Sequence, residues 1–175
     1  MALGTIAAQQ SKGTEHTKRS TQQLLDYCHT HSDATLVYRS SGMILQFHSD
    51  ASYLTEPKAR SRAGGHCYLG ELPSNQPNRN NGAILNLSII MKNVLSSAAE
   101  AECGALFHNA RAACPIRTTL IEMSHPQPAT PVTVDNSTTH GFANKQIKQQ
   151  KSKSMDMRYY WIQDRVAQKQ FDVQW

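Results

Sequence analysis

The stretch Met43 to Tyr53, MILQFHSDASY, constrains the fold more than any other part of the chain. Met43, Leu45, Phe47 and Ala51 fall on one side of an extended backbone, and Gln46, His48, Asp50 and Ser52 fall on the other. This alternation predicts a half-buried strand with Asp50 at the end of its polar face. A second strand pattern follows in RAGGHCYLG and a third in AILNLSIIM, separated by ELPSNQPNRNNG, whose Pro, Asn and Gly content marks a loop. Three consecutive strands with short connections predict an antiparallel meander.

The residues before the meander read as helical, with an apolar cluster at Leu24, Leu25, Tyr27 and Cys28 and a break at THSDAT. After it, SSAAEAECGALFHNARAA predicts a helix in which Ser97 and Glu100 have capping-box spacing. Pro115 is expected to end or kink this helix before IRTTLIEM resumes it. VTVDN is a short strand with Val132 and Val134 on one face, and once more an aspartate, Asp135, at its end. A basic loop, a helix SMDMRYYWIQDRV capped by Ser154, and the start of a last strand in FDVQW complete the order. The order βββ, α, β, α, β predicts an α/β fold, with residues 1–40 as a helical lead-in and 41–175 as one domain.

No window approaches the roughly 18 apolar residues that a membrane span needs. The start, MALGTIAAQQ, lacks a basic segment followed by a long apolar run, so an intracellular site is expected. Cys28, Cys67, Cys103 and Cys114 show no paired metal-binding spacing and are expected to be free thiols. The formal charge of +5 is uneven. Residues 1–49 carry four basic and three acidic groups, 50–144 seven and seven, and 145–175 seven and three, giving +1, 0 and +4. The run KQIKQQKSKS reads as a solvated loop or as a phosphate contact. The eight histidines are scattered; His48 shares the Asp50 face, and His29 and His31 flank a threonine in the lead-in.

Three acids stand where regular structure meets an opening: Asp50, Asp135 and one acid of EAE. Glu100 is accounted for by capping. Glu102 lies on a stripe with Ala98, Ala99, Ala105 and Leu106 that should pack on the sheet, where an unpaired carboxylate is costly. Singly, each aspartate reads as a strand-end turn former. Together, converging carboxylates would call for hard divalent cations, above all magnesium. Two such ions can clamp the attacking and leaving oxygens of a phosphodiester.

The stretches HSDASYLTEPKARSRAGGH, SSAAEAECGAL, VDNST and MDMRYYWIQDRV, in that order, resemble the ribonuclease H domain of copia-type retrotransposon polyproteins. The lead-in GTEHTKRSTQQLLDYCHTHSDATLVYRSSG resembles the C-terminal end of the reverse transcriptase that precedes it there. The resemblance implies a ribonuclease H-like fold, a five-stranded mixed sheet flanked by helices. It implies cleavage of the RNA strand of RNA–DNA hybrids with two Mg2+ ions, Mn2+ being a possible substitute. Asp50, Glu102 and Asp135 match the family's catalytic and metal-binding acids. The remaining polyprotein would be a partner, in the cytoplasm or a virus-like particle of the parent element.

The family's terminal helix, with a fourth metal-binding aspartate, has no match up to Trp175, so hydrolysis is expected to be weakened or lost in this chain. Asp156 is tempting as a stand-in, but a place in a first helical turn gives it a structural role. Lys58, Arg60, Arg62, Lys148, Lys151 and Lys153 are candidate contacts to hybrid phosphates. The alternative is a non-catalytic remnant that binds nucleic acid or only folds. An integrase-like transposase is disfavoured, because its acids run Asp, Asp, Glu whereas these run Asp, Glu, Asp.

Overall fold

A computed structural model describes residues 2–72, 81–147 and 156–175. The chain divides into two compact units, Met1–Val37 and Tyr38–Trp175. In the first, α1 (Ala2–Ala7), a single 3-10 turn and α2 (Glu15–Thr30) form a helical pair around a groove lined by Ile6, Gln9, His16, Leu24 and Tyr27. Thr14 caps α2, accepting from the Thr17 N–H at 3.2 Å while the Thr17 hydroxyl accepts from the Thr14 N–H at 3.2 Å.

The second unit is built on one sheet in the order β3-β2-β1-β4-β5. Its strands are β1 (Ile44–Glu56), β2 (Arg60–Gly70), β3 (Ala83–Ile90), β4 (Thr130–Val134) and β5 (Phe171–Gln174). β1, β2 and β3 pair antiparallel, as the meander predicts, whereas β4 joins β1 and β5 joins β4 in parallel. The helices are α3 (Ala98–Glu122), α4 (Ser137–Ala143) and α5 (Asp156–Ala167). The expected five-stranded mixed sheet with flanking helices is present. No helix among the described residues is long and apolar enough to cross a membrane.

Alternation in the strands selects the core. Leu45 and Phe47 of β1, Cys67 of β2, Val132 and Val134 of β4, and Phe171 and Val173 of β5 pack with Leu106, Ala110 and Ala113 of α3 and Ile162 of α5. Burying a side chain of the size of Leu45 or Phe47 contributes about 1.5–3 kcal/mol. The opposite face of β1 is less solvated than its polar residues predict: Gln46 is buried, donating to the Glu71 carbonyl and accepting from the Tyr68 hydroxyl at 3.0 Å.

Four local expectations change. Pro115 neither ends nor breaks α3, which runs through it. Pro115 and Arg111, whose carbonyl loses its helical donor, are both exposed, so water can satisfy the freed acceptor. The capping box is half formed: Ser97 Oγ accepts from the Glu100 N–H at 3.1 Å, but the Glu100 carboxylate accepts from Ser96, one residue early. Ala101 to Leu106 are all buried, so the start of α3 is covered around its circumference rather than along one stripe, and Ala98 is exposed. Finally, α4 occupies part of what the sequence presents as a basic loop. The predicted Ser154 cap and the side chain of Asp156 lie outside the described residues. Among the cysteines, all free, Cys67 and Cys103 are buried, Cys114 is intermediate and Cys28 is exposed.

Candidate metal centre

Asp50 does not end its strand. β1 continues to Glu56, but its parallel pairing with β4 stops at Ser49 and Val134. Asp50 and Asp135 are the next residues on the two chains. Parallel neighbours lie about 4.8 Å apart, so register alone sets these two aspartates side by side where β1 loses β4. Glu102 reaches the same point from the start of α3, its Oε1 accepting from the Ala51 N–H at 3.1 Å. One carboxylate oxygen from each of Asp50, Glu102 and Asp135 lies within 4.8 Å of the others.

The three acids differ in surroundings. Asp50 and Asp135 are exposed, whereas Glu102 is 7% exposed. Burial, then the charges of Asp135 and Asp50, push the Glu102 carboxyl up to about 7, against the Ala51 hydrogen bond that pulls it down. Glu102 Oε2 is buried with no hydrogen-bond partner. A buried carboxylate oxygen without a donor, facing two more carboxylates, suits a hard cation that takes oxygen ligands. Asp50, Glu102 and Asp135 could hold such an ion.

Two residues that sequence reasoning passed over fix this arrangement. Asn109 of α3 is fully buried; its Nδ2 donates to Ser49 Oγ at 2.9 Å and to the Gly64 carbonyl at 2.8 Å. These acceptors lie next to Asp50 along β1 and opposite it on β2. The contact requires Gly65, because a Cβ there would sit 1.8 Å from Asn109 Oδ1. Asn136 follows Asp135 directly and caps α4, accepting from the N–H groups of Thr138 at 2.9 Å and Thr139 at 3.1 Å. The chain therefore leaves β4 and enters a helix within one residue of Asp135. Cys103, beside Glu102, donates to the Thr139 hydroxyl at 3.5 Å and ties α3 to α4.

The basic candidates scatter. Lys58 is exposed at the β1–β2 tip, where it and Ala59 adopt left-handed backbone at φ 63 and 51. Arg60 is half-buried and sits opposite Glu56 in the β1–β2 register, six residues beyond Asp50, about 20 Å along an extended strand. Arg62 is not open to a ligand. It is 3% exposed, its Nε lies 2.6 Å from Glu56 Oε1, and its Nη1 donates to Ser88 Oγ at 3.2 Å. β2 alternation turns Arg62 into a packed ion pair, which the charge of the segment could not reveal. Lys148, Lys151 and Lys153 lie outside the described residues.

No family model matches the chain, and no curated protein matches it. Among solved structures it is similar to LC11-RNase H1, isolated from compost by a metagenomic approach, with a TM-score of 0.52 at 10% identity over 75% of this chain and 83% of that one. The fold is that of ribonuclease H. Further likenesses are to RNase H1 of the halophilic archaeon Halobacterium salinarum (TM-score 0.47, 12% identity, 74% of this chain and 80% of that one) and to an N-terminal RNase H domain from Mycobacterium tuberculosis (TM-score 0.48, 10% identity, 75% and 82%). On the ribonuclease H fold of this chain, the acidic cluster lies where the central strand β1 parts from β4.

Proposed function

We infer that this chain is a ribonuclease H that hydrolyses the RNA strand of RNA–DNA hybrids, and that it derives from a copia-type retrotransposon polyprotein. The observation that carries the reading is the meeting of Asp50, Glu102 and Asp135, drawn from three elements, within 4.8 Å on a ribonuclease H fold. The motif order around these residues supports the retrotransposon origin. In the parent element the activity would remove template RNA during reverse transcription, and residues 1–40 would close the reverse transcriptase. Cytoplasm or a virus-like particle would be the setting.

Asp50, Glu102 and Asp135 would hold two divalent cations, Mg2+ or Mn2+. When bound, such ions activate a water and stabilise the leaving oxygen of a phosphodiester. The chain's own part is to hold the ligands still. Ala51 fixes one oxygen of Glu102, and the other, buried, has no hydrogen-bond donor. Asp50 and Asp135, both exposed, face the substrate side. Recognition of the hybrid rests on groove shape and the RNA 2′-hydroxyl. Lys58 and Arg60 would add phosphate contacts that position a duplex without reading its sequence.

The test is single-turnover cleavage of a hybrid with protein in excess, so that weak chemistry is still seen. RNA-strand products that require Mg2+ or Mn2+ and vanish in Asp50→Asn support the reading. Products that persist in Asp50→Asn, or that arise equally from single-stranded RNA, overturn it. Hybrid binding without any cleavage would favour the non-catalytic remnant.

A further inference from the structure

The arginines of α3 and α5 divide into two kinds. Arg117 is tied to the loop before β4, donating to the carbonyls of Pro128 and Gln127 and to Thr130 Oγ1 at 3.0 Å. Arg165 donates to Gln168 and Gln170 and lies 5.2 Å over the Trp161 ring. Among the described residues neither Arg111 nor Arg158 has a hydrogen-bond or ion-pair partner. Arg111 is exposed and Arg158 half-buried.

Both guanidinium groups lie close enough to His108 of α3 to act on it. Arg158 lies 5.6 Å over the ring of Phe107, and the neighbouring His108 ring is 5.7 Å from Phe107. Arg111 is four residues from Phe107 and three from His108, so on a helix it shares their side. Burial, then Arg158, then Arg111 lower the His108 pKa, as nearby cations do. From Phe107 to Ile121, α3 carries Arg111 and Arg117 and no acid.

We propose that Arg111 and Arg158 form a phosphate-binding seam on the α3–α5 surface, which holds the backbone of a nucleic acid apart from the metal centre. Charge complementarity selects the occupant. Among the described residues neither guanidinium has an ion-pair partner, and a guanidinium suits phosphate oxygens. Such contacts carry no sequence preference and do not need the metal. The inference rests on the hybrid reading of the metal centre only for the identity of the polyanion.

The experiment measures binding of an RNA–DNA hybrid in EDTA from about 50 to about 200 mM salt. The wild-type chain is compared with Arg111→Gln/Arg158→Gln and with the charge-keeping pair Arg111→Lys/Arg158→Lys. Loss of two phosphate contacts should reduce the slope of log K against log salt by about 1.8 and weaken binding about tenfold or more at low salt. The lysine pair should keep most of the slope, although Arg158 leaves Phe107 in both variants. Equal loss in the lysine and glutamine pairs would make the effect one of packing and overturn the proposal. So would an unchanged slope in the glutamine pair, or no hybrid binding by the wild-type chain. Because the titration is run in EDTA, it reads the seam without any metal-dependent cleavage. Failure of the catalytic reading then appears in the cleavage assay alone, and failure of the seam in the slope alone.

Discussion

Replacing Glu102 with Gln should stabilise the metal-free protein above neutral pH and do nothing in acid. Glu102 is 7% exposed, and its carboxyl is raised from 4.5 to about 7. Folding raises the proton affinity of this acid, so between these values the folded state binds more protons than the unfolded chain. Stability attached to Glu102 is therefore greatest below about 4.5, falls as pH rises, and levels off above about 7. The difference between 4.5 and about 7 corresponds to about 3 kcal/mol. The site borders solvent at the exposed Asp50 and Asp135, and screening there reduces this to about 2 kcal/mol. Glutamine keeps the shape and the acceptor for Ala51 but carries no charge. Urea unfolding in EDTA should show Glu102→Gln about 2 kcal/mol more stable than wild type near pH 8 and equal to it near pH 4. Added Mg2+ should stabilise the wild type and narrow the gap. A variant less stable than wild type at pH 8, or a gap independent of pH, would refute the reasoning.

Three other outcomes follow from the same packing. Gly65→Ala drives a Cβ into Asn109 and should cost about 1–3 kcal/mol by urea unfolding; the loss should shrink when Asn109→Ala is added, since the two residues touch. Arg62→Gln leaves Glu56 without its buried partner and should cost about 3 kcal/mol, with little change in the salt dependence of hybrid binding. Asn136→Ala removes the α4 cap and should cost about 1 kcal/mol while weakening Mn2+ affinity; Asn136→Ser, which can still cap, should restore most of both.

The meander and the convergence of three acids were legible because each rests on a short-range pattern. Alternation around Phe47 sets β1, and burial of the helix start separates Glu102 from the capping Glu100. That Asp50 and Asp135 become neighbours was less direct, since it depends on the parallel register of β1 and β4, two strands separated by the whole of α3. Alternation marks the faces of a strand but carries no record of its partner. Helix α4 was missed because seven residues are too few to show a period, although Asn136 followed by Ser-Thr-Thr offered a cap. Pro115 did not end α3 as one alternative had it, because the helix runs through it where Arg111 and Pro115 are exposed. Arg62 misled because basic charge in a sequence does not say which side of a strand it occupies. Asn109, a polar residue amid apolar ones, gave no sign that its partners would be Ser49 and Gly64.

The central claim is that Asp50, Glu102 and Asp135 form one divalent-cation site. Titration of Mn2+ followed by electron paramagnetic resonance, at about pH 8 so that Glu102 is ionised, tests it most directly. The wild-type chain should bind Mn2+ in competition with Mg2+, and Asp50→Asn, Glu102→Gln and Asp135→Asn should each weaken binding by about tenfold or more. Mn2+ affinity unchanged by all three substitutions would contradict the account.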